Sequence, residues 1–100
     1  MEKRRPHHNL ARVQAEVVRL GAAAFTKTAL DGGRAMGLTS AEMLAVIASL
    51  SRRNFYKSMT SYADHRLWQD VYHAGTPVRK EAYIKITLCD AVLVIQFKEK

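Results

Sequence analysis

The chain has 100 residues, of which 48% are hydrophobic, so residues 1–100 are expected to form one domain with a single buried core. Lys and Arg outnumber Asp and Glu by 16 to 9, and the net charge of +7 favours a polyanionic partner, either nucleic acid or an acidic protein, over an ordinary basic protein. No apolar run approaches the roughly 20 residues of a membrane span, and no apolar segment follows the charged N-terminus as a secretory signal requires. The one cysteine, Cys89, cannot form an internal disulfide, which fits a reducing cytoplasm.

A basic arm of residues 1–8 precedes the first predicted helix. Asn9 is a suitable N-cap, apolar side chains then recur at helical spacing as far as Leu20, and Gly21 is a natural stop. Residues 22–25 are predicted to form a short extended link. The chain is therefore expected to begin with a mobile polar arm, followed by an amphipathic surface helix.

Two further helices are predicted before the strands begin. The second is capped by Thr26 or Thr28 and ends at Gly37, although an internal pair of glycines weakens it. The third is the best marked, since Thr39 or Ser40 caps it and a regular apolar stripe follows. Two arginines are expected to close this third helix, where they favour its dipole.

The second half of the chain changes to the alternation that is typical of β-strands. Residues 54–60 and 66–72 predict a hairpin around a polar turn at residues 61–65, and residues 81–88 and 91–98 predict two more strands. Three N-terminal helices followed by about four antiparallel strands predict an α+β domain. Its helices are expected to pack on one face of a mainly antiparallel sheet of four or more strands.

The outward faces of the predicted strands carry side chains that suit RNA chemistry. The last two strands place a phenol, an amide and two cations on the open side: Tyr83, Gln96, Lys85 and Lys98. Cleavage of RNA by its own 2′-OH needs help in removing one proton, stabilising phosphoryl charge and protonating the 5′-oxygen, and such side chains can do this without a metal. Lys57, in the first hairpin, is expected to have its pKa lowered by neighbouring cations.

Each of these signals also has an ordinary structural explanation. Polar-outward alternation accounts for the last two strands, Lys57 is more often a surface charge, and Trp68 is more often a core residue than a platform for bases. His7 and His8, in the arm, are expected to contact phosphate. One Cys and four His lack the spacing of a structural zinc site. The residues alone therefore predict a basic α+β domain, with RNA binding as one candidate function.

The first hairpin carries the motif Phe55-Tyr56-Lys57-Ser58-Met59-Thr60, followed by Tyr62-x-Asp64-His65-x-x-Trp68-Gln69-Asp70-Val71-Tyr72. The two ends of the chain carry Met1-Glu2-Lys3-Arg4-x-Pro6-His7, Tyr83-x-Lys85-Ile86-Thr87 and Phe97-Lys98-Glu99-Lys100. These motifs resemble the MqsR family, the motility quorum-sensing regulator toxins of bacterial toxin–antitoxin modules. The resemblance spans the chain, is dense at both ends and in the hairpin, and is loose over residues 9–53.

This resemblance implies a RelE-like fold and a ribosome-independent, metal-independent endoribonuclease that cuts mRNA at short GC-containing sites. The active-site Lys, Gln and Tyr of the family would fall on Lys57, Gln69 and Tyr83. The expected RNA-binding residues are Tyr56, Met59, Lys85, Lys98, Arg52 and Arg53. No cofactor and no metal ligand of this chain are implied.

The resemblance also implies a partner, an MqsA-like antitoxin that binds zinc and has a DNA-binding half, so that the complex binds operator DNA. The sequence is richer in Ala and Gly than the family at residues 22–24 and 32–33, where the antitoxin contact surface is expected to differ. The loop at residues 74–80 also departs from the family pattern, so the cleavage-site preference is expected to differ as well. Two alternatives stay open, namely a RelE-like nuclease that needs the ribosome and a non-catalytic regulator that holds nucleic acid by its basic face.

Overall fold

The computed structural model describes residues 1–100 as three α-helices and one five-stranded sheet. The helices are α1 (Leu10–Leu20), α2 (Lys27–Ala35) and α3 (Ser40–Ser49), and the strands are β1 (Glu2–Lys3), β2 (Phe55–Thr60), β3 (Trp68–Gly75), β4 (Glu81–Cys89) and β5 (Val92–Glu99). The strands lie in chain order, and each is antiparallel to its neighbours. The predicted α+β class is confirmed, and the sheet has five strands because a short strand, β1, precedes the helices. None of the helices has the length and hydropathy needed to cross a membrane.

The three helices begin at N-caps that the sequence predicts. The side-chain oxygens of Asn9, Thr26 and Thr39 each accept a hydrogen bond from a backbone N–H in the first helical turn. Glu42 accepts in return from the backbone N–H of Thr39, which completes a capping box. The prediction that arginines close α3 is wrong, because the helix ends at Ser49 and both arginines lie in a separate 3-10 turn.

Two predictions about the backbone before residue 26 are corrected by pairing with the sheet. The expected extended link is a 3-10 turn at Gly21–Ala24, after which Phe25 forms a parallel bridge to Ile95 on β5. The N-terminal arm is not mobile, because β1 pairs with β2 and the Met1 ammonium donates to Thr60 Oγ1 at 3.2 Å. The outer edges of β2 and β5 would otherwise have unpaired backbone groups, and β1 and Phe25 pair with part of them.

The core forms where one set of alternating sheet residues meets the apolar stripes of the helices. Its largest fully buried members include Val13, Met43 and Ile47 from the helices and Ile84, Ile86, Ile95 and Phe97 from the sheet. Gly32 lies against the Phe97 backbone carbonyl and Gly33 lies against the Met43 side chain, so both glycines allow α2 to approach its neighbours closely. The glycine pair that weakens α2 in isolation is therefore part of its packing.

The hairpin boundaries differ from those predicted. The polar turn extends through residue 67, where Ser61 N–H donates to the Leu67 carbonyl at 2.7 Å, so β3 begins at Trp68 and continues to Gly75. The last hairpin turns at Asp90 and Ala91, whose φ angles are 50° and 64°. Positive φ at both central residues matches the twist of the flanking strands, although Ala91 is a poor residue for it.

Candidate active site

The register of the sheet brings the three predicted catalytic residues onto one face. Cross-strand partners in an antiparallel sheet share a face, as do alternate residues of one strand. Lys57 is the partner of Val71, and His73 is the partner of Tyr83. Gln69, Val71 and His73 occupy alternate positions of β3, so the predicted Lys, Gln and Tyr side chains lie on the same side of the sheet.

Cross-strand pairing adds one residue of β2, one of β4 and two of β5 to this surface, which we call the site face. The site face consists of Lys57, Met59, Gln69, Val71, His73, Tyr83, Lys85, Gln96 and Lys98. Val71 is buried, Gln96 and Lys98 are exposed, and the others are half-buried. The site face combines three lysines with side chains that donate or accept hydrogen bonds. A protein core would not contain this combination.

A β-bulge in β2 adds Tyr56 to the site face. The register shifts between Phe55 and Lys57, which makes Tyr56 the extra residue and turns its ring towards β3. Its ring stacks on His73, with centroids 4.5 Å apart and planes 23° apart, and the His73 ring lies 5.5 Å from that of Tyr83. The three rings form a row across three strands, with the imidazole at its centre.

Lys57 is held by a residue of the N-terminal arm. Its Nζ donates a hydrogen bond to Glu2 Oε2 at 2.9 Å, because β1 places Glu2 beside β2. This hydrogen bond, with the charge of Glu2, raises the pKa of Lys57 above its ordinary value and lowers the pKa of Glu2. The expectation of a lowered Lys57 pKa is therefore wrong, since the closest charge is an anion. Lys57 is suited to be a permanent cation and not a base.

Two cations flank the row of rings. The Nζ of Lys98 lies 5.3 Å from the centroid of the Tyr83 ring, and the Nζ of Lys57 lies 5.5 Å from that of Tyr56. Both Tyr56 and Tyr83 are close enough to Lys57 to help raise its pKa. A phosphate on this face would meet two cations next to two phenols.

His73 is a site residue that the sequence did not single out. Burial, followed by the charge of Lys100, lowers the pKa of its imidazole below the ordinary value of 6.5. A neutral imidazole can accept a proton at neutral pH. The sequence pattern that could have revealed His73 is its alternation with Gln69 and Val71 along one face of β3. The predicted strand ended at residue 72, so His73 fell outside it.

Trp68 lies on the opposite side of the sheet from the site face, because it alternates with Gln69 along β3. Its ring stacks on His7 with centroids 5.4 Å apart, and the Nζ of Lys3 lies 4.2 Å from the ring centroid. His8 bonds the Trp68 carbonyl through its ring nitrogen at 2.8 Å. Trp68 therefore holds the N-terminal arm through Lys3, His7 and His8. The prediction that the two histidines lie in a mobile arm is wrong.

A carboxylate next to Gln69 anchors the same arm. Asp70 is only 1% exposed, and it accepts from His7 N–H at 3.0 and 3.1 Å and from His8 N–H at 2.8 Å. Hydrogen bonds to an ionised acceptor are the strong ones. Asp70 thereby connects β3 to the arm that carries Glu2.

The two arginines among the predicted RNA contacts lie apart from these groups. Arg52 lines a cavity of about 570 Å³ together with arm residues and Tyr72, whose side chain is on the core side of the sheet. Arg53 is exposed in the same 3-10 turn, Arg52–Asn54. The structure thus brings together the predicted residues of the strands and separates Arg52 from them.

A second cavity, of about 420 Å³, borders the site face where α2 meets the last two strands. Thr28, Asp31 and Gly32 of α2 form one wall, and Tyr83 and other site-face residues of β4 and β5 form the opposite wall. Nowhere in the chain do three or more His, Cys, Asp or Glu side chains cluster so that they could hold a metal ion.

Two comparisons with known proteins agree with each other. The family model described as motility quorum-sensing regulator, toxin of MqsA, matches residues 5–99. The mRNA interferase toxin MqsR of Escherichia coli (strain K12) is 45% identical over 100 residues, which cover 100% of both chains.

Proposed function

The chain belongs to the motility quorum-sensing regulator toxin family, and we propose that it is the toxin of a toxin–antitoxin module and an endoribonuclease that cleaves mRNA. The observation that carries the proposal is the register that puts Lys57, Gln69 and Tyr83 on one face of the sheet. Family membership supports the reaction, and the basic surface supports a polyanionic substrate. We further assign the chain a RelE-like fold and a place in the cytoplasm.

The proposed reaction is attack of the ribose 2′-oxygen on the adjacent phosphorus. The 2′-oxygen forms a bond to phosphorus, the bond to the 5′-oxygen breaks, and the products end in a 2′,3′-cyclic phosphate and a 5′-hydroxyl. His73 takes the proton of the 2′-OH, and Tyr83 gives a proton to the 5′-oxygen before solvent restores both groups. Lys57, paired with Glu2, stabilises the phosphoryl oxygens as a fixed cation.

The remaining residues bind and orient the RNA. Gln69 positions the phosphate or the ribose, and Lys85 and Lys98 continue the path of the backbone along the sheet. Tyr56 and Met59 offer an aromatic ring and a soft apolar side chain to an unstacked base. Arg52 and Arg53 contact phosphates further from the scissile bond. Each role needs only groups of this chain, so the reaction is proposed to be independent of metals.

The proposed partner is an antitoxin of the MqsA kind, a zinc-binding protein whose complex with this chain binds operator DNA. The family description, toxin of MqsA, supports a partner of this class. The zinc belongs to the antitoxin in this proposal. The cleavage sites are proposed to be short and to contain G and C, and the ribosome is not required.

The test is incubation of the purified chain with a ribosome-free transcript in excess EDTA, with both product ends mapped. We expect discrete cuts that end in 2′,3′-cyclic phosphate and that are lost in Lys57→Ala, Gln69→Ala and Tyr83→Ala. Arg19→Ala, at an arginine of α1 paired with Glu16, is the matched control and should cleave as the unaltered chain does. Folded variants that all cleave at the original rate would contradict the site.

The same experiment separates the two alternatives. Transcript that stays intact in EDTA but is cut in a translating extract would assign the chain to ribosome-dependent nucleases. Transcript that is bound but never cut would favour a non-catalytic regulator. A 2′-deoxy substitution at the mapped position should abolish cleavage and preserve binding, because it removes the attacking group and leaves the phosphates in place.

A further inference from the structure

The cavity between α2 and the last two strands is shaped by close packing of the helix against β5. Thr26 N–H donates to the Ile95 carbonyl at 3.3 Å, directly after the bridge between Phe25 and Ile95. Further along α2, Gly32 lies so close to the Phe97 carbonyl that any side chain there would collide with it. The helix is thereby held beside the edge strand and leaves about 420 Å³ open next to Tyr83.

The walls of this cavity differ in chemistry. The site-face wall carries an aromatic ring, an amide and two ammonium groups, at Tyr83, Gln96, Lys85 and Lys98. The helix wall carries a carboxylate, Asp31, and a hydroxyl, Thr28. A volume of this size is within the ~300–1,000 Å³ of small-molecule sites. The exposed lining is mostly carbon with a few polar groups, which suits the single flat ring of a nucleobase.

Asp31 takes part in two surface ion pairs and is still able to accept hydrogen bonds. Its two oxygens pair with Lys27 at 3.1 Å and with Arg34 at 3.6 Å, while its side chain is 51% exposed. A carboxylate has about four acceptor positions, so these two pairs do not saturate it. Surface ion pairs of this kind are weak, which leaves the carboxylate available to a ligand.

We propose that this cavity is a nucleobase subsite in which Asp31 accepts a hydrogen bond from the exocyclic amino group of a base beside the scissile phosphate. Carboxylates pair with base amino groups, which adenine, cytosine and guanine carry and uracil lacks. The carbonyl oxygens of uracil would face the carboxylate unfavourably. The inference rests on the proposed function, because Tyr83 lines the cavity and is also one of the proposed catalytic residues.

The experiment compares cleavage maps of one ribosome-free transcript for the unaltered chain, Asp31→Asn and Gln96→Leu. The Asn side chain has one acceptor and one donor group and can pair with uracil, so cuts with uracil at one position beside the scissile bond should increase about tenfold. Gln96→Leu should relax the preference at the same position. Glu16→Gln, which breaks a comparable i,i+3 pair with Arg19 on α1, is the control and should leave the map unchanged.

The outcomes distinguish the subsite from the proposed function. A defined preference that persists unchanged in Asp31→Asn, while the transcript is cut, overturns the subsite and leaves the nuclease assignment intact. A loss of rate with no change in base preference also overturns it. Transcript left uncut by the unaltered chain, with and without ribosomes, overturns the proposed function and the subsite with it. Both altered positions are exposed or half-exposed, so thermal unfolding of the variants should match that of the unaltered chain.

Discussion

At the scale of single residues, Asp70 is the one carboxylate that the fold buries almost completely. Asp70→Asn replaces a carboxylate that accepts three backbone bonds from His7 and His8, so the unfolding free energy should fall by about 2 kcal/mol. Urea denaturation measures it. Ser58→Ala is the matched control at the cross-strand position, since the buried Ser58 hydroxyl has no partner to lose and its removal should not destabilise.

His73 connects the site to pH. Its folded-state pKa is below the ordinary 6.5, so the folded chain binds this proton less readily than the unfolded chain does. The contribution of His73 to the unfolding free energy is therefore fully present above about pH 6.5, and it is lost as the pH falls towards the lowered pKa. His73→Gln should make the loss of unfolding free energy between about pH 7 and pH 5 shallower.

The matched control for this measurement is His65→Gln, since His65 is exposed in the loop between β2 and β3. It should retain the pH dependence of the unaltered chain. An identical pH dependence in His73→Gln and the unaltered chain would contradict the burial of the imidazole. His7, whose pKa is also lowered by burial, contributes to the dependence that remains.

At the scale of elements, α2 reverses the usual rule for glycine. An Ala in place of Gly in a helix interior ordinarily stabilises by about 1 kcal/mol. Gly32→Ala should instead destabilise by about 1–3 kcal/mol, because the new methyl group would meet the Phe97 backbone carbonyl, which cannot move aside as a side chain does. Gly75→Ala, where no atom lies within 4 Å, is the control in urea denaturation and should change stability little.

The turn between β4 and β5 gives the opposite prediction. Ala91 adopts a φ of 64°, in the left-handed region that costs an L-residue about 1–2 kcal/mol. Ala91→Gly removes this strain at a smaller cost in unfolded-state entropy, so the unfolding free energy should rise by about 1 kcal/mol. Ala63→Gly, in an exposed loop where φ is not positive, is the control and should lower the unfolding free energy. Equal effects of the two substitutions would show that Ala91 carries no backbone strain.

At the scale of the whole molecule, the net charge of +7 predicts salt-sensitive binding of RNA. For 2′-deoxy-blocked single strands, the slope of log affinity against log salt should fall in magnitude by about 0.7 for each phosphate contact removed. Lys85→Gln and Lys98→Gln should each reduce the magnitude of this slope by about 0.7, because each removes one phosphate contact. Arg12→Gln on α1 removes the same charge outside the site face, and an equal reduction there would show that only net charge matters.

The sequence by itself determined the helices, the four long strands and the types of side chain that the candidate site contains. Caps at Asn9, Thr26 and Thr39 and the alternation of the last strands depend on neighbours within a few residues, so they predicted the α+β class and the open faces of β4 and β5. The resemblance of the hairpin motif implied Lys57 and Gln69 as site residues, and this stays a prediction. Boundaries were less certain, because strand ends depend on a partner strand, and this is why His73 was missed.

Only the tertiary structure decided how those groups are held. The bond from Glu2 to Lys57, the docking of the arm on Asp70 and the bulge that turns Tyr56 towards His73 all join segments far apart in the chain. The cavity beside Tyr83 likewise exists because α2 packs against the edge of β5. The alternation along a strand specifies which face of the sheet a side chain lies on, because it depends only on neighbouring residues. The carboxylate beside Lys57 depends instead on the pairing of β1 with β2, which brings Glu2 from the other end of the chain.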